Sequence, residues 1–157
     1  MMNMLIEEQL TAFFKEIKDL YYVVQRNWEN LPHHFEVDGH GDLDLFATDD
    51  HKHKILGILQ KYPDIKCDVR SQEDDYYPFD LGDHLLSNRL DWNAREMAHM
   101  DFPIYIPNDQ AAFEALFYHN MIHKQDDSYK TKLRAMFKRM YPPVKCKDEG
   151  VGYYDFN

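Results

Sequence analysis

The sequence predicts an α/β (α+β) fold in which a small mixed β-sheet is flanked by helices. Its 157 residues are 44% apolar, enough for one core and too few for a second domain. Short runs of β-branched and aromatic residues alternate with longer segments of helical periodicity, which is typical of a sheet covered by helices. We expect residues 1–157 to form a single domain with an irregular C-terminal arm from about residue 141.

The first part of the chain predicts a helix, a strand, a loop and a second strand. Apolar residues recur at helical spacing over about residues 3–19, and the aromatic and β-branched run at 21–24 indicates a buried strand. Proline and glycines within residues 27–41 predict a loop or irregular hairpin. Alternating acidic and apolar residues then predict a strand over 42–47.

The middle of the chain continues the alternation. A helix is expected between the capping residues at 48–50 and the stop at 62–64, with Ile55, Leu56 and Leu59 on its apolar face. A third strand follows at 65–70. The polar, tyrosine-rich segment 71–82 predicts a loop, and a short helix is expected near 83–90.

The last part predicts one more strand and two helices. The strand is expected at 104–106, and Pro107 and Asn108 favour a helix start directly after it. That helix should run to about Lys124, with a last helix near 133–140. The apolar stripe of the longer helix is predicted to contain Phe113, Leu116, Phe117 and Met121.

Charge and composition exclude several classes of protein. A formal net charge of -10 disfavours a nucleic-acid binder that follows phosphates, because the chain would repel them. No stretch resembles a signal peptide or reaches the length of a membrane span, so a cytoplasmic location is expected. Cys67 and Cys146 lack metal-ligand spacing and are expected to be reduced thiols.

Three aspartates suggest a metal site. Asp42 and Asp44 lie two apart on one predicted strand, so both side chains emerge on one face, and Asp68 lies on the next strand. Neighbouring carboxylates repel unless a cation lies between them, which favours Mg²⁺ or Mn²⁺. Gly39 and Gly41 would allow a phosphate close to the backbone. An acidic pair at a strand end is also typical of a solvated edge or a helix cap.

Basic residues that could contact phosphate accompany the acids. His119 and His123 are four apart on a predicted helix and Lys124 follows them, which suggests a face directed at a phosphate or metal. The alternative is a helix rim with polar tips. Arg70 should share a face with Asp68, where it would contact either an anion or a carboxylate.

Two further groups give weaker hypotheses. His33, His34 and His40, together with the neighbouring acids, would suit a transition metal and suggest a metallohydrolase, although loop histidines are mostly solvent-exposed. Three aromatic side chains would either stack on a base or sugar or pack on the core; these are Tyr76, Tyr77 and Trp92.

The sequence resembles the nucleotidyltransferase-like superfamily, and more closely its small members found among bacterial and viral surface-glycan genes. The resemblance covers about residues 20–125 and is carried by the segments YYVVQRNWENLP, GDLDLF, CDVR with the following DDYY, and FEALFYHNMIHK. It implies that Asp42, Asp44 and Asp68 bind one or two Mg²⁺ or Mn²⁺ ions. These ions would orient a nucleoside triphosphate for nucleotidyl or phosphoryl transfer to a small molecule or glycan precursor.

One position departs from the family pattern. Members usually carry Gly-Ser at the turn after the first strand, whereas this chain has Arg26 and Asn27. Arg26 would either bind phosphate in place of the missing donors or bridge to an aspartate. The sequence therefore leaves two hypotheses beside the metallohydrolase: a metal-dependent transferase, and a binding module of the same fold without turnover.

Overall fold

The structure, a computed structural model, describes residues 6–31, 43–92 and 101–142, with the side chain of Asn30 excepted. Its centre is a three-stranded sheet made of β1 (Tyr22–Val24), β2 (Leu43–Ala47) and β3 (Cys67–Arg70) in that order. β1 and β2 are antiparallel, whereas β2 and β3 are parallel. The sheet is therefore mixed, and the predicted α+β class is confirmed.

Helices connect and cover these strands. α2 (Asp49–Leu59) links the parallel pair, as a crossover between parallel strands requires. The other helices, with the π-helical turn that extends one of them, are α1 (Ile6–Glu16), α3 (Phe79–Ser87), α4 (Asp109–Tyr118), the π turn (His119–Lys124) and α5 (Lys130–Met140). A second, two-stranded sheet pairs β4 (Arg89–Trp92) with β5 (Ile104–Pro107).

The two faces of the central sheet are buried differently. Leu43, Leu45 and Val69 belong to the larger core, which α1 and α2 cover. The opposite face places Val23 and Phe46 in a smaller core with residues of α3 and α4. Because alternate residues of a strand face opposite sides, the second face is the one that also carries Asp44 and Asp68.

Two elements differ from the sequence-based expectation. α3 begins at Phe79 instead of near residue 83, directly after Pro78, whose fixed φ suits the start of a helix. β4 was not expected, because its residues Arg-Leu-Asp-Trp lack the usual strand pattern. Its hydrogen bonds to β5 and the stacking of Arg89 on Tyr105, 3.9 Å from the ring centroid, hold it in place.

The long helix expected to reach residue 124 also changes character. α4 ends at Tyr118, and a π-helical turn continues to Lys124 before Gln125 closes it with a positive φ of 55°. Two residues of the predicted apolar stripe are exposed, Phe117 at 38% and Met121 at 54%, as is Leu56 of α2 at 40%. Within the residues described here, no helix is both long and apolar enough to cross a bilayer.

Candidate functional site

Two of the three predicted aspartates meet on neighbouring strands. Asp44 of β2 is in register with Asp68 of β3 in the parallel pair, so the two side chains leave the same face of the sheet. Neighbouring strands lie about 4.8 Å apart, which puts both carboxylates within reach of one ligand. Asp44 is partly buried and Asp68 is exposed. Asp42, Gly39 and Gly41 lie outside the described residues.

Arg26 forms an ion pair with one of these carboxylates. Its Nη1 lies 3.0 Å from Oδ2 of Asp44, and the two side chains are only 5% and 20% exposed. The pair forms because the antiparallel pairing with β2 continues for one residue beyond the end of β1. There the Gln25 amide donates to the Asp44 carbonyl at 2.8 Å. Asn27 then adopts a left-handed conformation with φ 62° and turns the chain away. Of the two roles expected for Arg26, the structure has the bridge to an aspartate.

The rest of the Arg26 guanidinium is held by neutral acceptors. Its Nη2 donates to Oε1 of Gln25 at 3.1 Å, to the hydroxyl of Tyr77 at 3.2 Å and to that of Tyr76 at 3.4 Å. Gln25 is itself fixed, because its Nε2 donates to the Leu45 carbonyl at 3.0 Å and its Oε1 accepts from Tyr77. A buried charge surrounded in this way is oriented by the protein before any ligand arrives.

The two predicted histidines face inward onto Tyr76. Nε2 of His123 lies 2.9 Å from the Tyr76 carbonyl, which can only accept, so this nitrogen carries a proton. In a neutral His123 the Nδ1 must then accept, and it does so from Nδ1 of His119 at 2.9 Å. The His119 Nδ1 proton also faces the Tyr76 hydroxyl at 2.9 Å. The histidine pair therefore supports the tyrosine that holds Arg26.

The electrostatic environment keeps both imidazoles neutral. Burial and the nearby Arg26 cation lower the pKa of His119 to about 3. Burial also lowers the pKa of His123 from its ordinary value. Burial raises the pKa of Tyr76 and of Tyr77, so both hydroxyls stay protonated at neutral pH. The positive charge at this end of the sheet consequently comes from arginine and lysine.

Arg70 and Lys124 supply exposed charge at the rim. Arg70 is two residues after Asp68 on the same face and its guanidinium lies 5.2 Å from the centre of the Tyr76 ring. Lys124 ends the π turn and is exposed. Of the two, Arg70 is the one that lies beside the acidic pair, whereas Lys124 lies near His119.

The structure does not favour stacking of a base on Tyr76, Tyr77 or Trp92. Tyr77 is only 2% exposed. His123 stacks on Tyr76 with ring centroids 4.0 Å apart, and Arg70 lies over the same ring. Trp92 packs against the larger core. These rings are core and scaffold, which is the alternative that the sequence left open.

Gln25 and the scaffolding role of the two tyrosines are not predictable from the sequence. No local pattern marks them, since the bond from Arg26 to Tyr77 spans 51 residues. The histidines of the proposed transition-metal loop, His33, His34 and His40, lie outside the described residues. In the part of the chain that the structure describes, no three His, Cys, Asp or Glu side chains are grouped closely enough to hold a metal together.

Comparisons of the chain with protein-family models, with curated proteins and with solved structures find no match.

Proposed function

We propose that this protein is a metal-dependent nucleotidyl- or phosphotransferase-like enzyme that acts on a small molecule or a glycan precursor. The observation that carries the proposal is the in-register pairing of Asp44 with Asp68 on one face of a mixed sheet. Carboxylates at adjacent positions on parallel strands offer hard oxygen ligands to one hard cation. The resemblance of GDLDLF and CDVR to nucleotidyltransferase-like motifs points to a nucleoside triphosphate as the donor.

The donor set fits Mg²⁺ or Mn²⁺. Asp44 and Asp68 would hold the ion, with Asp42 as the third ligand that the resemblance implies. A bound ion in such a site neutralises charge on the phosphate that is attacked. Three basic side chains complete the site: Arg70 and Lys124 bind phosphate oxygens, and Arg26 orients Asp44. Asp68, the exposed carboxylate, is also suited to accept the proton of an acceptor hydroxyl.

A second candidate function is a binding module with the same fold and no turnover. The observation that favours it is the ion pair between Arg26 and Asp44, which are 3.0 Å apart. An arginine that permanently neutralises Asp44 would weaken metal binding and leave only ligand recognition. The metallohydrolase hypothesis has no comparable support among the described residues.

The two candidates are separated by calorimetric titration with Mg²⁺ and Mn²⁺, each with and without a panel of nucleoside triphosphates. The test variant is Asp44→Asn with Asp68→Asn. Its control is Asp83→Asn with Asp91→Asn, which removes the same charge from exposed positions outside the site. The transferase proposal predicts metal-dependent nucleotide binding that the test variant loses and the control keeps.

Turnover decides between enzyme and module once binding is found. Release of pyrophosphate or of a nucleoside diphosphate in the presence of candidate acceptors would support the transferase. Nucleotide binding without product, across a broad set of sugar and alcohol acceptors, would favour the binding module. Absence of nucleotide binding with either metal would refute the transferase and leave a binding module for another ligand or partner.

A further inference from the structure

The position of Arg26 affects whether the acidic site binds a bare metal ion or a metal ion that is already bound to phosphate. Its guanidinium is not a mobile surface charge, because the side chain is 5% exposed and bonds four partners. Each of its two terminal nitrogens has its own bonding partners. Nη1 faces Asp44, whereas Nη2 is shared among Gln25 and the two tyrosines.

The charges of the acidic pair and of the two arginines beside it cancel. Asp44 and Asp68 contribute two negative charges, and Arg26 and Arg70 contribute two positive charges. The neighbouring histidines are neutral, as their lowered pKa values require. A bare divalent cation therefore meets no net attraction from these four groups and direct repulsion from the guanidinium beside Asp44.

A metal that arrives already bound to phosphate meets a different balance. Its phosphate oxygens offer the guanidinium a new acceptor, so Arg26 keeps a charge-assisted partner when Asp44 turns to the metal. The exposed Arg70 adds a second cation for the same phosphate. The exchange replaces one ion pair with two and leaves no buried charge unpaired.

Resting on the proposed function, we infer that Arg26 is a specificity-determining residue that makes this site select a metal–phosphate complex over the bare divalent cation. The ligand class is a phosphate ester or anhydride that carries its own Mg²⁺ or Mn²⁺. The Arg26 guanidinium stays paired with Asp44 until that phosphate replaces the carboxylate as its partner. Gln25 and Tyr77 are positioning residues for the guanidinium.

The expected change in affinity for bare Mn²⁺ can be judged from how an adjacent cation alters the proton affinity of a carboxylate. An arginine next to an aspartate lowers its affinity for a proton by about 1–3 pKa units, or tenfold to a thousandfold, and it opposes a metal ion for the same reason. Removal of the guanidinium charge should accordingly raise the affinity for bare Mn²⁺ about tenfold or more.

The test compares bare Mn²⁺ with the preformed complex of Mn²⁺ and a non-hydrolysable nucleoside triphosphate analogue, using calorimetry. Wild type should bind the complex and bind bare Mn²⁺ weakly. Arg26→Gln should reverse this preference, with bare Mn²⁺ bound about tenfold or more tightly and the complex bound more weakly. Equal affinity of wild type and variant for bare Mn²⁺ would overturn the inference.

Two milder variants keep the test decisive if Arg26→Gln does not fold. Arg26→Lys retains the charge, so bare Mn²⁺ should stay weakly bound. Tyr77→Phe removes an acceptor from Nη2 and loosens the guanidinium, so bare Mn²⁺ affinity should rise a few-fold. No change in Tyr77→Phe, with Arg26→Gln unfolded, would contradict the inference.

Failure of the proposed function gives a different result from failure of the inference. If wild type does not bind the nucleotide complex but a variant still gains affinity for bare Mn²⁺, the nucleotide is wrong, and Arg26 still opposes the bare cation. If wild type binds the nucleotide complex and bare Mn²⁺ equally well, the transferase proposal survives and the role of Arg26 does not.

Discussion

Gly82 in α3 allows the helix to lie directly on the sheet below the site. A Cβ at this position would lie 2.9 Å from Cζ and 3.2 Å from Cε1 of Phe46. Carbon atoms normally approach to about 3.5–4.0 Å, so the ring would have to move by roughly half an ångström or more. Phe46 is 2% exposed and its ring packs against Tyr77, 5.4 Å between centroids, so that movement disturbs the core beside Arg26.

The cost of this clash can be isolated with a second glycine. Gly57 in α2 has no atom within 4 Å of the same added carbon. Alanine gains about 0.8–1.0 kcal/mol over glycine in a helix interior, and both sites share this gain. Gly57→Ala should therefore raise the free energy of unfolding by about 0.5–1 kcal/mol. Gly82→Ala should fall below it by the overpacking cost of about 1–3 kcal/mol.

Urea denaturation of the two variants and the wild type measures this difference. The slopes of the free energy against urea should agree among the three proteins, so that the midpoints report stability alone. If Gly82→Ala is as stable as Gly57→Ala, the close approach of α3 to Phe46 is wrong, and with it the packing that holds Tyr77.

Two further predictions concern the site itself. Tyr77→Phe removes a buried hydroxyl that bonds Arg26 and Gln25 and should lower the free energy of unfolding by about 1–3 kcal/mol in urea denaturation. Tyr118→Phe, the matched change at a partly buried tyrosine of the same core, should cost about 0.5 kcal/mol or less, and equal losses would contradict the network. The pKa of His119, lowered to about 3, makes the unfolded chain bind more protons than the folded one below pH of about 6.5. The free energy of unfolding should then fall as pH falls from about 6.5 toward 3, and His119→Gln should flatten that slope by on the order of 1 kcal/mol per pH unit. Parallel pH profiles for wild type and this variant would refute the role given to the imidazole.

Local sequence patterns were sufficient for the main elements. The alternation at residues 43–47 and the β-branched run at 22–24 are β-strands, as expected, and the apolar spacing before residue 17 is a helix. These signals work because one buried face imposes the period of the element on its residues. The convergence of Asp44 and Asp68 depended on one further condition, that the third strand lie beside the second, and the parallel register meets it.

Features that depend on distant residues were not predictable in the same way. From the sequence, Arg26 could either bind phosphate or bridge to an aspartate. Only the pairing of β1 with β2 brings it to Asp44. β4 has no strand pattern of its own and is defined by its partner β5. The sequence predicts a polar loop at 71–82, yet Tyr77 is buried there, with its ring against Phe46 and its hydroxyl bonded to Arg26 and Gln25.

The proposed function requires a metal–nucleotide complex to bind at the Asp44 and Asp68 end of the sheet. Paramagnetic broadening of backbone amide resonances by Mn²⁺, added with a nucleoside triphosphate analogue, locates the ion directly. The signals of Asp44 and Asp68 should broaden at the lowest Mn²⁺ concentration, before those of Asp83 and Glu114. Unchanged signals at both aspartates, with broadening instead around Asp83 of α3 and Glu114 of α4, which line a separate cavity, would contradict it.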